Sequence, residues 1–141
     1  MFETIGIHAQ EINELTIKVI KKIVNTAELF NCSFRFALER ADFLENSTCV
    51  SISTAEDMAK NSDLVISVGG DGTLLKCARL IYPRNVALMG INLGRLGFLT
   101  DIVPERISDE LSQILKGNFI EEERTVLECE ILRKGESVMK G

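Results

Sequence analysis

The run Leu64-Val65-Ile66-Ser67-Val68, followed at once by Gly69-Gly70-Asp71-Gly72, limits what this chain can fold into more than any other stretch. It is too short for a helix, and its β-branched residues suit a strand buried on both faces. Leu74, Ala78 and Ile81 then recur at helical spacing until Pro83, so the unit reads strand, glycine turn, helix. A turn of this kind sits at the carboxyl end of a strand in a parallel sheet, where such sheets bind their ligands.

The flanking residues repeat the alternation. Ile5, Ile7 and Ala9 alternate with Thr4, Gly6 and His8 as a first strand. Ile12, Leu15, Val19, Ile23, Ala27 and Phe30 form an apolar helical stripe. Phe34, Phe36 and Leu38 read as a second strand, residues 40–53 as irregular, and Ser53 with Glu56 as a capping box for a short helix through Lys60. Val86 to Ile91 form another buried strand, and Pro104 precedes a helix carrying Ile107, Leu111, Ile114 and Leu115 on one face, ending at Gly117. Strands alternating with helices predict a doubly wound, mostly parallel α/β sheet over residues 1–120. Residues 121–141 differ in kind. Leu127, Cys129 and Ile131 alternate with Glu128 and Glu130 in a half-exposed strand, and Lys134-Gly135-Glu136 is a hairpin turn. This tail is expected to begin a second, β-rich domain.

Composition narrows the function. With 45% apolar and 26% charged residues the chain can bury a core of its own, and it shows neither a signal peptide nor a run of membrane-span length. A cytoplasmic location is expected. Cys32, Cys49, Cys77 and Cys129 lack metal-ligand spacing, so free thiols are expected and no metal site. A formal charge of −5 argues against nucleic acid or an anionic membrane as partner. Between Asp71 and Asp101, however, there is no acidic residue, while Lys76, Arg79, Arg84 and Arg95 are basic. A polyanion could be held there, although the same side chains also suit plain solvation.

Two loops carry the chemistry. Gly69, Gly70 and Gly72 clear side chains where the backbone must approach a ligand, and the helix that follows offers unpaired N–H groups to an anion, phosphate being the natural one. A plain tight turn would also use these glycines, but it leaves an aspartate at the cleft mouth unexplained. The second loop is Asn92-Leu93-Gly94-Arg95-Leu96-Gly97-Phe98-Leu99, after the next strand. No Walker A run GxxxxGK followed by Ser or Thr occurs. The dinucleotide fingerprint GxGxxG fails too, because Leu75 stands where its third glycine belongs.

Gly69-Gly70-Asp71-Gly72-Thr73 resembles the GGDGT signature shared by NAD kinases and by diacylglycerol and sphingosine kinases. The segment Gly90-Ile91-Asn92-Leu93-Gly94-Arg95-Leu96-Gly97-Phe98-Leu99 resembles the NAD kinase pattern GxNxGxxGFL, where lipid kinases carry PxGTxND, and no Pro-x-Gly-Thr occurs here. The resemblance runs from residue 5 onward, through the step Glu123-Arg124-Thr125. It implies a kinase that moves the γ-phosphoryl of ATP, or of inorganic polyphosphate, to the 2′-hydroxyl of the adenosine ribose of NAD, with Mg²⁺ carried in by ATP. It also implies that Asp71 is the proton acceptor and, with Gly72, a contact to NAD. Lys76 would be a basic contact to the ligand, and Phe98 and Leu99 would line the adenine side. Gly69, Gly70, Thr73, Asn92 and Gly94 would complete the nucleotide-binding loops. Relatives of this kind have a second β-rich domain with further NAD contacts and much of a homodimer or homotetramer interface, so residues 1–141 alone are expected to be inactive. A lipid kinase and a noncatalytic nucleotide-binding module are the rival readings.

Overall fold

The computed structural model describes residues 2–37, 42–44, 49–94, 97–100 and 102–140. Five strands, β1 (Thr4–Ala9), β2 (Ser33–Phe36), β3 (Val50–Ile52), β4 (Leu64–Gly69) and β5 (Ala87–Asn92), form one sheet in the order β3-β2-β1-β4-β5. Every pairing in it is parallel. The helices α1 (Glu14–Glu28) and α4 (Ile107–Leu115) pack on one face, where Val19, Ile20, Ile23, Ile107 and Leu111 meet Ile5, Ile7, Phe34, Phe36, Leu64 and Ile66. On the other face, α2 (Ala55–Lys60) and α3 (Asp71–Ile81) bring Met58, Ala59, Cys77 and Ile81 onto Val65. A strand has a period of two. β4 therefore sends Leu64, Ile66 and Val68 to one layer and Val65 to the other, which is why its run is apolar on both faces apart from the buried Ser67. The expected doubly wound α/β sheet is present.

Three local readings change. Residues 40–53 contain the short edge strand β3, in which Ser51 and Ile52 are exposed, so its sequence carries no buried alternation to announce it. Leu38 and residues 45–48 lie outside the described residues. The cap of α2 is Thr54, one residue later than expected, its side chain accepting the Asp57 N–H at 3.1 Å. A cap contributes about 1 kcal/mol, which matters for a helix this short, since isolated helices of this length are not stable. At the other end of the chain the expected hairpin turn at Lys134-Gly135-Glu136 is present, joining the antiparallel strands β6 (Glu130–Arg133) and β7 (Glu136–Lys140), but the strand expected over residues 127–131 begins only at Glu130. Leu127, Ile131 and Leu132 are all exposed. An alternating pattern buries one face only where a second layer covers it, and no described residue covers this one. Lys134 and Gly135 both have positive φ, as a two-residue hairpin turn requires. No helix among the described residues is long and apolar enough to cross a membrane.

The thiols differ sharply in reactivity. Cys77 is fully buried under α3, and burial pushes its pKa up to about 12. Cys32 is raised by burial and by Asp63, whereas Cys129 is exposed. A thiol attacks only as thiolate. A thiol reagent at neutral pH is therefore expected to label Cys129 at once and Cys77 only after unfolding. Mass mapping of the labelled peptides checks this, and rapid labelling of Cys77 in the folded protein would contradict its packing.

Candidate functional site

Strand order decides where the site lies. From β1 the chain moves outward through β2 and β3, then crosses back to lay β4 on the other side of β1. The connections after β1 and β4 thus leave in opposite directions and open a crevice at their carboxyl ends. The crevice there has a volume of about 380 Å³. Gly69, Gly70 and Thr73 border it, as do Asn92, Leu93 and Gly94 after β5 and Gln10, Glu11, Asn13 and Thr16 after β1. A more open groove of about 460 Å³ between α1 and α4 carries Lys18, Lys21 and Lys22. It lies away from the strand ends and from both glycine loops, so the smaller crevice is the better candidate.

The first loop is built for close approach. Gly70 caps α3 with no side-chain hydrogen bond, and its carbonyl accepts the N–H groups of Thr73 and Leu74 at 3.0 and 3.1 Å. The amides of Asp71 and Gly72, ahead of these two, have no acceptor within the helix and are the ones left for an anion. Gly69 is obligatory for another reason. A Cβ there would stand 2.7 Å from Thr73 Cβ, so the helix can fold back over the strand end only across bare backbone. Nothing lies within 4 Å of a Cβ built on Gly70 or Gly72, which leaves that space for a ligand.

The second loop is tied to the first. Leu93 N–H donates to the Gly69 carbonyl at 2.9 Å, and the Asn92 side chain accepts the Gly94 N–H at 2.9 Å in a tight local turn. The main link is Asp71, the first residue of α3. Its Oδ2 accepts the Phe98 N–H at 2.8 Å, and its Oδ1 accepts the Leu99 N–H at 3.2 Å and the Thr100 hydroxyl at 3.0 Å. The Phe98 N–H, followed by the Thr100 hydroxyl and the Leu99 N–H, holds the Asp71 carboxyl below the ordinary carboxylate range against a smaller opposing effect of desolvation. The helix N-terminus also favours the anion. Gly97 is where the carboxylate rests, for a Cβ there would stand 2.5 Å from Asp71 Cγ.

The residues singled out from sequence fall into two adjoining groups and two outliers. Gly69, Gly70, Thr73, Asn92 and Gly94 line the crevice, while Asp71, Phe98 and Leu99 meet beside it through hydrogen bonds. Gly72 and Lys76 are exposed on α3 and neither lines the crevice nor hydrogen-bonds to Asp71. The Phe98 side chain is 99% exposed, so it is no part of the core. Arg95 and Leu96 lie outside the described residues. His8, read from sequence as an ordinary strand residue, is mostly buried, and its Nδ1 has no hydrogen-bond partner among the described residues. Burial, and then Lys76, hold its pKa below the ordinary histidine value. Sequence reasoning missed Gln10, Glu11, Asn13 and Thr16 on the crevice wall, and Gly97 and Thr100 behind Asp71. The first four could have been found only by knowing that β1 neighbours β4.

A five-stranded parallel sheet in this order, with glycine loops converging on its switch point and one carboxylate joining them, defines a doubly wound α/β domain. The ATP-NAD kinase N-terminal domain family model matches residues 9–119, and the chain belongs to the NAD kinase family. It is 36% identical to an NAD kinase of Cellvibrio japonicus over 97% of this chain and 47% of that protein. It is 48% identical to an NAD kinase of Nitrosomonas europaea over 63% of this chain and 30% of that one. In structure it is similar to yeast NADH kinase complexed with NADH, with a TM-score of 0.76 and 18% identity, over 96% of this chain and 45% of that one. The chain spans about half the length, or less, of the relatives it matches.

Proposed function

We propose that this chain is the first domain of an NAD kinase that transfers the γ-phosphoryl of ATP, or of inorganic polyphosphate, to the 2′-hydroxyl of the adenosine ribose of NAD, giving NADP. The observation that carries the reading is Asp71, a carboxylate held by hydrogen bonds between two glycine loops beside the crevice. A carboxylate repels phosphate and calls for a metal or a hydroxyl as partner, and in this reading the partner is the ribose hydroxyl. Phosphoryl transfer passes through a loose transition state in which positioning and charge neutralisation matter more than base strength. A carboxyl whose pKa is lowered therefore suffices. It orients the hydroxyl and takes its proton late, as the phosphoryl arrives.

The amides at the start of α3 cradle phosphate oxygens, with Gly69, Gly70 and Thr73 shaping the cradle and Asn92 and Gly94 forming the facing wall. Gly72 lets the ribose approach the backbone. Lys76 neutralises ligand charge, and Phe98 and Leu99 meet the adenine. Mg²⁺ enters as part of the nucleotide substrate; among the described residues no group of three or more His, Cys, Asp or Glu stands together as a metal site. Residues 1–120 act as the nucleotide-facing domain and residues 121–141 as the start of a β-rich one, in a cytoplasmic homodimer or homotetramer.

The test is to supply the complete gene product with Mg-ATP and NAD and to measure NADP, with diacylglycerol and sphingosine as competing acceptors and residues 1–141 in parallel. NADP from the complete protein alone is the expected result. Phosphorylated lipid without NADP would support a lipid kinase, and binding of nucleotide with no transfer would support a noncatalytic module. Gly72→Val probes the cradle separately. A Cβ at Gly72 meets nothing within 4 Å, so the variant should fold with an unchanged circular dichroism spectrum. Its Kd for NAD should rise by about 10-fold or more, the equivalent of about 1.4 kcal/mol. Unchanged affinity, measured by calorimetry, would show that ligand does not approach the backbone there.

A further inference from the structure

An ionised carboxylate has about four acceptor positions, two on each oxygen. In Asp71 three are filled by close hydrogen bonds, both on Oδ1, by the Leu99 N–H and the Thr100 hydroxyl, and one on Oδ2, by the Phe98 N–H, while the Thr100 N–H adds the weakest of the attractions to the carboxylate. Two of the three close donors are backbone and survive any substitution of their side chains. The third is the Thr100 side chain, which is completely buried. Its setting is specific. The Thr100 methyl rests on the bare backbone of Gly90 in β5, where a Cβ would stand 2.5 Å from Thr100 Cγ2 and 3.1 Å from Leu74 Cδ1. Gly90 therefore seats the methyl, the seated methyl sets the side-chain rotamer, and the rotamer aims the hydroxyl at Oδ1. A hydroxyl that serves only its own burial has carbonyl oxygens to choose from, whereas this one is spent on the carboxylate that joins the two loops.

Resting on the reading of Asp71 as proton acceptor, we propose that Thr100 is a positioning residue for the reaction. It occupies the last position on Oδ1, so that the one acceptor position left on the carboxylate, on Oδ2, is where the ribose hydroxyl binds and where its proton goes. The carboxylate then cannot rotate to present the wrong oxygen, and the hydroxyl is met in one orientation, as a near-attack geometry requires.

The test compares variants that differ by the hydroxyl alone. Thr100→Val keeps the shape and loses the hydroxyl, while Thr100→Ser keeps the hydroxyl and loses the methyl. In the complete gene product T100V should lower kcat for NADP formation by about 10-fold or more with little change in KM for NAD, and T100S, which keeps the hydroxyl without the methyl that seats it, should recover a clear part of that loss. The acid limb of the rate profile should move to higher pH in T100V only, because a hydrogen bond to the charged form has gone. Should T100V fail to fold, T100S against Thr100→Ala isolates the same hydroxyl. Parent kcat and parent acid limb in T100V, or equal damage in the serine variant and in the variant lacking the hydroxyl, would overturn the proposal and reduce Thr100 to packing. Asp71→Asn assayed beside them separates the two readings. If it is inactive while T100V is normal, only the positioning role is lost; if it is active, Asp71 is not the proton acceptor and both fall.

Discussion

Asp71→Asn in the complete gene product is expected to lower turnover to NADP by about 10²-fold or more, the range for loss of a positioned acid–base group. The geometry refines what else should change. Asparagine keeps one acceptor oxygen, which can still take the Leu99 N–H and the Thr100 hydroxyl, but its NH₂ faces the Phe98 N–H that Oδ2 now accepts. One tie between the loops is therefore lost together with the negative charge. Folding should survive, because the packing of α3 on β4 is made by Cys77, Ile81 and Val65, none of which leans on this carboxylate. The decisive measurement is kcat beside the Kd for NAD and the thermal melt. A well-folded variant that binds NAD but does not turn over places Asp71 in the chemistry. One that turns over normally leaves it as a loop tie only.

Gly97→Ala should have an effect of similar size without touching any ionisable group. The new Cβ would stand 2.5 Å from Asp71 Cγ, where ordinary contact begins at 3.4 Å. What must yield is the end of a side chain and not backbone, so the chain can fold, but the carboxylate is pushed out by about 1 Å. A misplacement of about 1 Å costs about 10²-fold in rate. The expected outcome is a folded protein with turnover reduced by about that factor, and Phe98 and Leu99 amides that exchange with solvent faster than in the parent. Normal turnover in a folded Gly97→Ala protein would mean that the position of the carboxylate seen here is not the one the reaction uses.

Much of this was legible in the residues. The apolar run 64–68, closed by glycines and followed by a helical stripe, required a buried strand with a loop at its carboxyl end. The alternation of strands and helices required a parallel sheet. Both signals are local: periodicity and turn chemistry act over a few residues, and here they agree with the fold. Weakly patterned pieces were not legible. β3 is an exposed edge of three residues, held by its register with β2 and not by its own propensity. The alternation at 127–131 promised a buried face that the described residues do not cover.

The sequence by itself determined which loops carry chemistry, since GGDGT and the Asn92-to-Leu99 segment stand at strand ends wherever those strands are placed. Only the tertiary structure decided that β1 lies beside β4, and hence that Gln10, Glu11, Asn13 and Thr16 face the crevice. It alone decided that Thr100, 29 residues from Asp71, holds the carboxylate through its hydroxyl. The reason is physical. Strand order is set by how two helical layers cover a sheet as a whole, and a side-chain hydrogen bond between loops forms only after β4 and β5 have paired in register, so neither leaves a periodic trace in the chain.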